Sequence, residues 1–293
     1  MKDPILWSSA LAVCVAVGGA YLFRHQLAGP RPHPAAERPE FPAPPIPPGP
    51  SQSELPPVRY PVPQPTPVTP ESTPGTPAAT ATEQPRAQPA LDSSDAAVET
   101  ALSGLFPGQS LAERLNLDGV VRRLVVTVDN LTAQKLPRRR LATRPVPERF
   151  AVETQGETQY LGRDNWPRYS PLVTLLEAAD GARLAQVYVE LYPLFQQAYE
   201  ELGYPDRYFN DRVVEVIDHL LETPDIDDRV ELVRVRGVYQ FADPRLEALS
   251  AGQKALLRSG PDNARRVKSV LQEWRAILVD LPHNAQRRSH PAG

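Results

Sequence analysis

Apolar positions follow three different patterns along the chain. Residues 5–23, ILWSSALAVCVAVGGAYLF, carry no charge. An uncharged apolar run of about 18 or more reads as a membrane-spanning helix. At about 1.5 Å per residue this one reaches roughly 28 Å, close to the hydrocarbon thickness of a bilayer. Residues 24–90 show neither helical nor strand periodicity. From 91 to 282 apolar residues recur at three- and four-residue spacing, and two short stretches alternate instead. Residues 1–4 and 283–293 are short tails, the second expected to be disordered.

Start and stop signals divide the helical pattern of 91–282. Asp92, Ser93, Ser94 and Asp95 cap a helix ending near Phe106 and Pro107. Ser110 and Glu113 have capping-box spacing for a short helix. Asp118 opens a helix over 119–131 with Val121, Leu124, Val125, Val128 and Leu131 on one face. Ser170 before Pro171 reads as another start. A longer helix spans 182–202, and Pro193 is expected to kink or divide it. The next covers 206–222. Asp243 and Pro244 start a short helix, and Ser250 with Gln253 forms a second capping box. The last helix runs over 261–280, with Val267, Val270, Leu271, Trp274, Ile277, Leu278 and Leu281 as its buried stripe. Residues 150–154 and 158–161 alternate across a turn at Gln155 and Gly156, and 230–235 can pair with 238–241. The predicted fold class is mainly α with one or two small β-hairpins.

Composition explains the middle pattern. Of the 35 prolines, 21 fall within 30–90. Proline lacks the amide donor and fixes φ, so neither helix nor sheet propagates there. Residues 24–90 therefore read as a disordered, proline-rich linker, a semi-rigid spacer whose xPxP repeats are alternatively a docking ligand for a partner. The apolar run has two other readings, a cleaved signal peptide and a lipid anchor at Cys14. The apolar residues Tyr21, Leu22 and Phe23 continue beyond the small residues that cleavage would use, and Val13 is large for a lipoprotein box. A single-pass anchor is the expectation. Lys2 against Arg24, Arg31 and Arg38 favours a cytoplasmic domain by the positive-inside rule. Anchors of this design in bacteria usually export their domain, which puts it in the periplasm.

Cys14 is the only cysteine, which leaves the domain no disulfide, thiol chemistry or zinc ribbon. Residues 91–282 hold 24 basic and 29 acidic residues, unlike the positive footprint of a nucleic-acid binder. No nucleic acid, cofactor or metal is expected. Asp211, Glu215, Asp218 and Glu222 share one helical face with His219 at its margin. Asp211, Glu215 and His219 are the candidate catalytic residues of a metal-dependent or acid–base hydrolase. The same spacing describes the wet face of an amphipathic helix whose other side is Val213, Val214, Val216, Ile217, Leu220 and Leu221. Tyr204, Arg207, Tyr208, Asn210 and Asp211 crowd a loop-to-helix junction and are candidate binding residues. The acidic run at 225–228 lacks the glycine and distal glutamate of a calcium loop and reads as a solvated turn. The turn at 259–263 could bind an anion at a helix start but lacks the Gly-rich phosphate loop with its Lys-Ser/Thr pair, and it reads as a capped turn. Lys135, Arg138, Arg139 and Arg140 lie in a basic stretch, 132–149, with net charge +5. It either meets an external anion or folds against the acidic stretch 199–231, net −8.

Several long strings carry a resemblance: LPRRR at 136–140, RYSPLV at 168–173, LYPLFQQAYEELGYPDRYFNDRVVEVIDHLLETP at 191–224 and YQFADPRLEALSAGQKALLRSGPDNARRVK at 239–268. They resemble an uncharacterised bacterial family, domain of unknown function 3014. The resemblance implies a bacterial envelope protein and no particular activity. The expected function is a binding or scaffolding module on a single-pass inner-membrane anchor, with an envelope protein or an anionic partner. Its alternatives are the hydrolase and a purely structural tether. An enzyme is not the favoured reading.

Overall fold

A computed structural model describes residues 57–63, 89–106, 108–109, 111–144, 150–227 and 229–281. The expected span at 5–23, Cys14, most of the linker, the capping Ser110 and the tail at 283–293 lie outside the described residues. No helix among the described residues is long and apolar enough to cross a membrane.

Eight α-helices are described: α1 (Asp95–Leu105), α2 (Val120–Asn130), α3 (Trp166–Glu177), α4 (Gly181–Glu201), α5 (Phe209–Leu221), α6 (Pro244–Glu247), α7 (Ala251–Arg258) and α8 (Pro261–Val279). The capping signals act differently at each start. Asp180 accepts from the Arg183 amide at 2.8 Å to start α4. Ser250 and Gln253 close the expected capping box of α7. At α2 the cap comes from elsewhere: Asp95 of α1 accepts from the Gly119 and Val120 amides at 2.8 and 3.1 Å. The expected Asp118 is almost fully exposed and faces Arg123. Free first-turn amides favour any nearby carboxylate, whatever its distance in sequence.

Two proline expectations change. Helix α3 begins one turn before Ser170 and holds Pro171 inside. Pro167 occupies the first turn, where a missing amide costs nothing, and Pro171 forfeits one bond. Burial of Tyr169, Leu172, Val173, Leu175 and Leu176 offsets that loss. Ser170 bonds back to the Trp166 carbonyl at 3.3 Å instead of capping. Helix α4 runs through Pro193 undivided, for Tyr188, Leu191, Leu194 and Phe195 on both sides of it are buried.

The helices share one core. Helix α4 packs on α1, α2 and α8, while α5 and α3 lie against α8. Trp274, Phe195, Tyr188, Tyr199 and Phe209 fill its centre. Both expected hairpins form, β1 (Val152–Gln155) with β2 (Thr158–Leu161) and β3 (Glu231–Val235) with β4 (Val238–Phe241). They join through β2 and β3 into one antiparallel sheet in the order β1-β2-β3-β4. Leu161, Leu232 and Phe241 together with Leu257 of α7 form the sheet's buried cluster. A lone two-stranded hairpin is marginal in water, and one shared buried face stabilises both.

Arg212 ties α5 to α2. Its guanidinium donates to Asp129 Oδ1 at 2.9 Å, to the Asp129 carbonyl at 2.7 Å and to Thr132 Oγ1 at 2.8 Å. The Arg212 and Asp129 side chains are only 16% and 13% exposed. Asp129→Ala leaves this buried cation short of its counter-charge. Urea unfolding is expected to register a loss of about 2–3 kcal/mol, below the range for a fully dry pair because Glu215 still faces Arg212.

Candidate functional site

The site is built at the start of α5. After Gly203, which takes a positive φ of 115°, the loop 204–208 crosses the end of α4. Gln196 of α4 pins that loop. Its Nε2 donates to the Arg207 carbonyl at 2.8 Å, and its Oε1 accepts from the Phe209 amide at 2.9 Å and from Tyr192 Oη at 3.1 Å. Tyr204 stacks on Tyr199 with ring centroids 4.7 Å apart, and Arg207 lies over Tyr204. The scaffold presents two adjacent side chains, fully buried Asn210 and half-buried Asp211, in the first turn of α5.

A piece of the linker occupies them. Asp211 Oδ2 accepts from the Arg59 amide at 3.0 Å, and Oδ1 accepts from the Tyr60 amide at 2.8 Å. Asn210 Nδ2 donates to the Tyr60 carbonyl at 2.8 Å. Consecutive amides of an extended strand point to opposite sides. Here the chain bends at Arg59 and Tyr60, which turns both amides towards one carboxylate. Tyr60 and Val62 are half-buried against the main core, while Val58 and Arg59 are exposed. Arg275 of α8 pairs with Asp218 of α5. Its guanidinium is held above its ordinary value chiefly by the hydrogen bond to Asp218 of α5, with a smaller contribution from Tyr60. The segment thus lies at the start of α5, against the main core.

Two polar side-chain atoms in this part of the core have no hydrogen-bond partner among the described residues: Asn210 Oδ1 and Tyr188 Oη. Both are buried. Burial pushes the Tyr188 hydroxyl well above its ordinary value, and the neighbouring Tyr192 and Asp211 add to the shift.

Asp211, Glu215 and His219 do not converge. Asp211 holds the linker, Glu215 is exposed and pairs with Arg212 at 2.9 Å, and His219 Nε2 meets Ser250 Oγ of α7 at 2.9 Å. No group of three metal-ligating side chains occurs among the described residues. Asp225 of the acidic turn pairs with Lys268 at 2.8 Å, a hydrogen bond that lowers its carboxyl below the usual range. At the turn of 259–263, Asn263 donates to the Ser259 and Trp166 carbonyls, and Arg266 pairs with Glu177.

The basic stretch meets the molecule through its apolar residues. Leu136 and Leu141 cluster with Ala251 of α7, and the Ala251 amide donates to the Ala133 carbonyl. Lys135, Arg139 and Arg140 are exposed, and Arg138 is half-buried. The acids of 199–231 find their partners elsewhere, Glu201 with Arg122, Asp218 with Arg275 and Asp225 with Lys268. Arg139 and Arg140 line a cleft with Arg122 and Arg123, and Asp118 and Glu201 line it too, so its charge is mixed.

The contribution of residues 57–63 has a faint sequence signal. Tyr60 is one of two aromatic residues in 24–90, the other being Phe41. An aromatic in a spacer has no solubility role and offers a large apolar area for a contact.

Fold and site together define a helical domain with a minor antiparallel sheet that carries a piece of its own proline-rich linker. The chain belongs to the family described as "Protein of unknown function (DUF3014)", whose match covers residues 120–275. The matched stretch includes Asn210 and Asp211 and leaves out the linker segment they hold. No curated protein and no solved structure matches the chain.

Proposed function

We propose that the chain is a binding and scaffolding module of the bacterial cell envelope. In this reading residues 5–23 anchor it in the inner membrane, the domain stands in the periplasm, and the start of α5 holds a short proline-flanked peptide. One observation carries the proposal: a single carboxylate, Asp211, accepts two consecutive backbone amides while Asn210 donates to the next carbonyl. Main-chain contacts of this kind hold any peptide that makes the bend. The half-buried Tyr60 and Val62 are the positions that would add selectivity. The uncharged run supports the anchor.

The test uses the full chain in detergent with Val58, Arg59, Tyr60, Pro61 and Val62 replaced by Gly and Ser, which vacates the site. A fluorescein-labelled synthetic peptide of residues 55–65 is expected to bind saturably, with a Kd on the order of 0.1–1 mM for so small a contact. Asp211→Ala in the same chain is expected to remove that binding. A folded chain that does not bind the peptide ends the proposal. Carbonate extraction checks the anchor, and recovery of a mature chain in the soluble fraction, starting beyond Phe23, would remove it.

A further inference from the structure

We infer that residues 58–62 are a built-in ligand of the Asn210–Asp211 site, a latch that a partner's proline-flanked peptide must displace before it can bind. The inference rests on the peptide-binding reading above and adds its regulation.

The contact is made within the chain across about 150 positions. Residues 64–88 close the loop back to the domain, a tether of 25 residues. A tether of this length holds its segment at an effective concentration on the order of 1–10 mM. That is roughly tenfold above the Kd expected for the contact, so the site is mostly filled in cis. A competing peptide from solution then binds about tenfold more weakly than it would to an empty site.

The latch is an imperfect ligand. With it seated, Asn210 uses only its Nδ2, and both its Oδ1 and Tyr188 Oη are buried without partners among the described residues. A buried polar atom left unsatisfied weakens the complex that leaves it so. A partner peptide that makes the same bend and also supplies a donor to Asn210 Oδ1 has an advantage that the linker sequence lacks. This defines the partner by its chemistry: two consecutive free amides, an aromatic or aliphatic anchor before proline, and one further hydrogen-bond donor.

Displacement also changes geometry. With the segment docked, 33 residues (24–56) separate the expected anchor from the domain; with it free, 65 residues (24–88) do. At about 3.1 Å per residue the ceiling on reach rises from roughly 100 Å to roughly 200 Å. Partner binding and extension are thereby coupled, because both require the same segment to leave.

The experiment compares the native full chain with the chain carrying Val58→Gly, Arg59→Ser, Tyr60→Gly, Pro61→Ser and Val62→Gly, both in detergent, using the labelled 55–65 peptide. The substituted chain is expected to bind it about tenfold tighter. Equal affinities for both chains overturn the latch and leave the binding site standing; no binding to either takes both down. Spin labels at Pro57→Cys and Gln197→Cys, both exposed positions, in a Cys14→Ser background, supply a second readout. The native linker should give a narrow distance distribution, the substituted one a broad distribution, and a broad native distribution overturns the latch. A narrow distribution that appears only as chain concentration rises, with dimers in sedimentation, assigns the segment to a second copy and overturns the cis assignment.

Discussion

Gly260→Ala is expected to lower the unfolding free energy of the domain by about 3–5 kcal/mol, the largest loss from a single added methyl group. Two penalties fall on one atom. Gly260 has φ 91° and ψ 159°, a backbone region that is essentially reserved for glycine and costs a side chain about 1–3 kcal/mol. A Cβ there would also lie 2.5–2.6 Å from three ring atoms of Trp166. That overlap forces a shift costing roughly 1–3 kcal/mol, since the ring belongs to the first turn of α3 and cannot swing aside freely. Gly156 provides the control. It also has a positive φ, 60°, in the turn between β1 and β2, but a Cβ there meets nothing within 4 Å. Gly156→Ala therefore bears only the backbone term, about 1 kcal/mol. Thermal unfolding should separate the two variants. For a domain of this size the Gly260 change corresponds to roughly 6–20 °C in Tm. Equal Tm values for the two variants would show that the Trp166 contact contributes nothing.

The same glycine marks what was legible in sequence and what was not. Signals confined to a few neighbouring residues were readable: the capping box of Ser250 and Gln253, the stripe of Val267, Val270, Leu271 and Trp274 on α8, and the strands of both hairpins. Whatever depends on a partner far along the chain was not. Gly260 read as a turn, and nothing local says that Trp166 covers it. Asp95 read as part of its own helix's cap but serves α2. The hairpins read as separate because the bridge of Tyr160 to Glu231 spans some 70 positions. Charge runs misled in the same manner. The basic stretch is opposite in sign to the acidic one, but sign carries no geometry, and Arg122, Arg275 and Lys268 from other helices pair with those acids instead.

The candidate site was half legible. Asn210 and Asp211 stood out because polar and aromatic residues crowd a helix start. Tyr204 and Arg207 turn out to shape the loop beside them, and Gln196, which holds that loop, carried no signal of its own. The occupant left only a faint signal because proline-rich sequence announces a spacer. Proline removes the donors that would define a strand or helix, yet the residues between prolines keep theirs. Arg59 and Tyr60 are two such residues, and their amides are what Asp211 takes.

Substitution at Asp211 is expected to release the linker, and the choice of replacement tests the mechanism. In the native chain each carboxylate oxygen accepts one amide. Charge-assisted hydrogen bonds contribute about 1.5–3 kcal/mol each in favourable settings. The contact with Arg59 is exposed, so the pair together is worth about 2–3 kcal/mol, or a roughly 30- to 150-fold change in the docking equilibrium. Against a docked population of roughly ten to one, that loss leaves the segment mostly free. Asp211→Ala removes both acceptors. Asp211→Asn keeps the shape but retains one acceptor oxygen, and its amide nitrogen faces a second donor. If bidentate acceptance holds the bend, asparagine should fail almost as completely as alanine. Amide exchange over residues 58–62 reads this directly. Protection of about tenfold in the native chain should fall to near one in both variants, while exchange in α4 and α8 stays unchanged. An Asp211→Asn chain that keeps its protection would mean that burial of Tyr60 and Val62, rather than the carboxylate, holds the segment, and the recognition would then be apolar in origin.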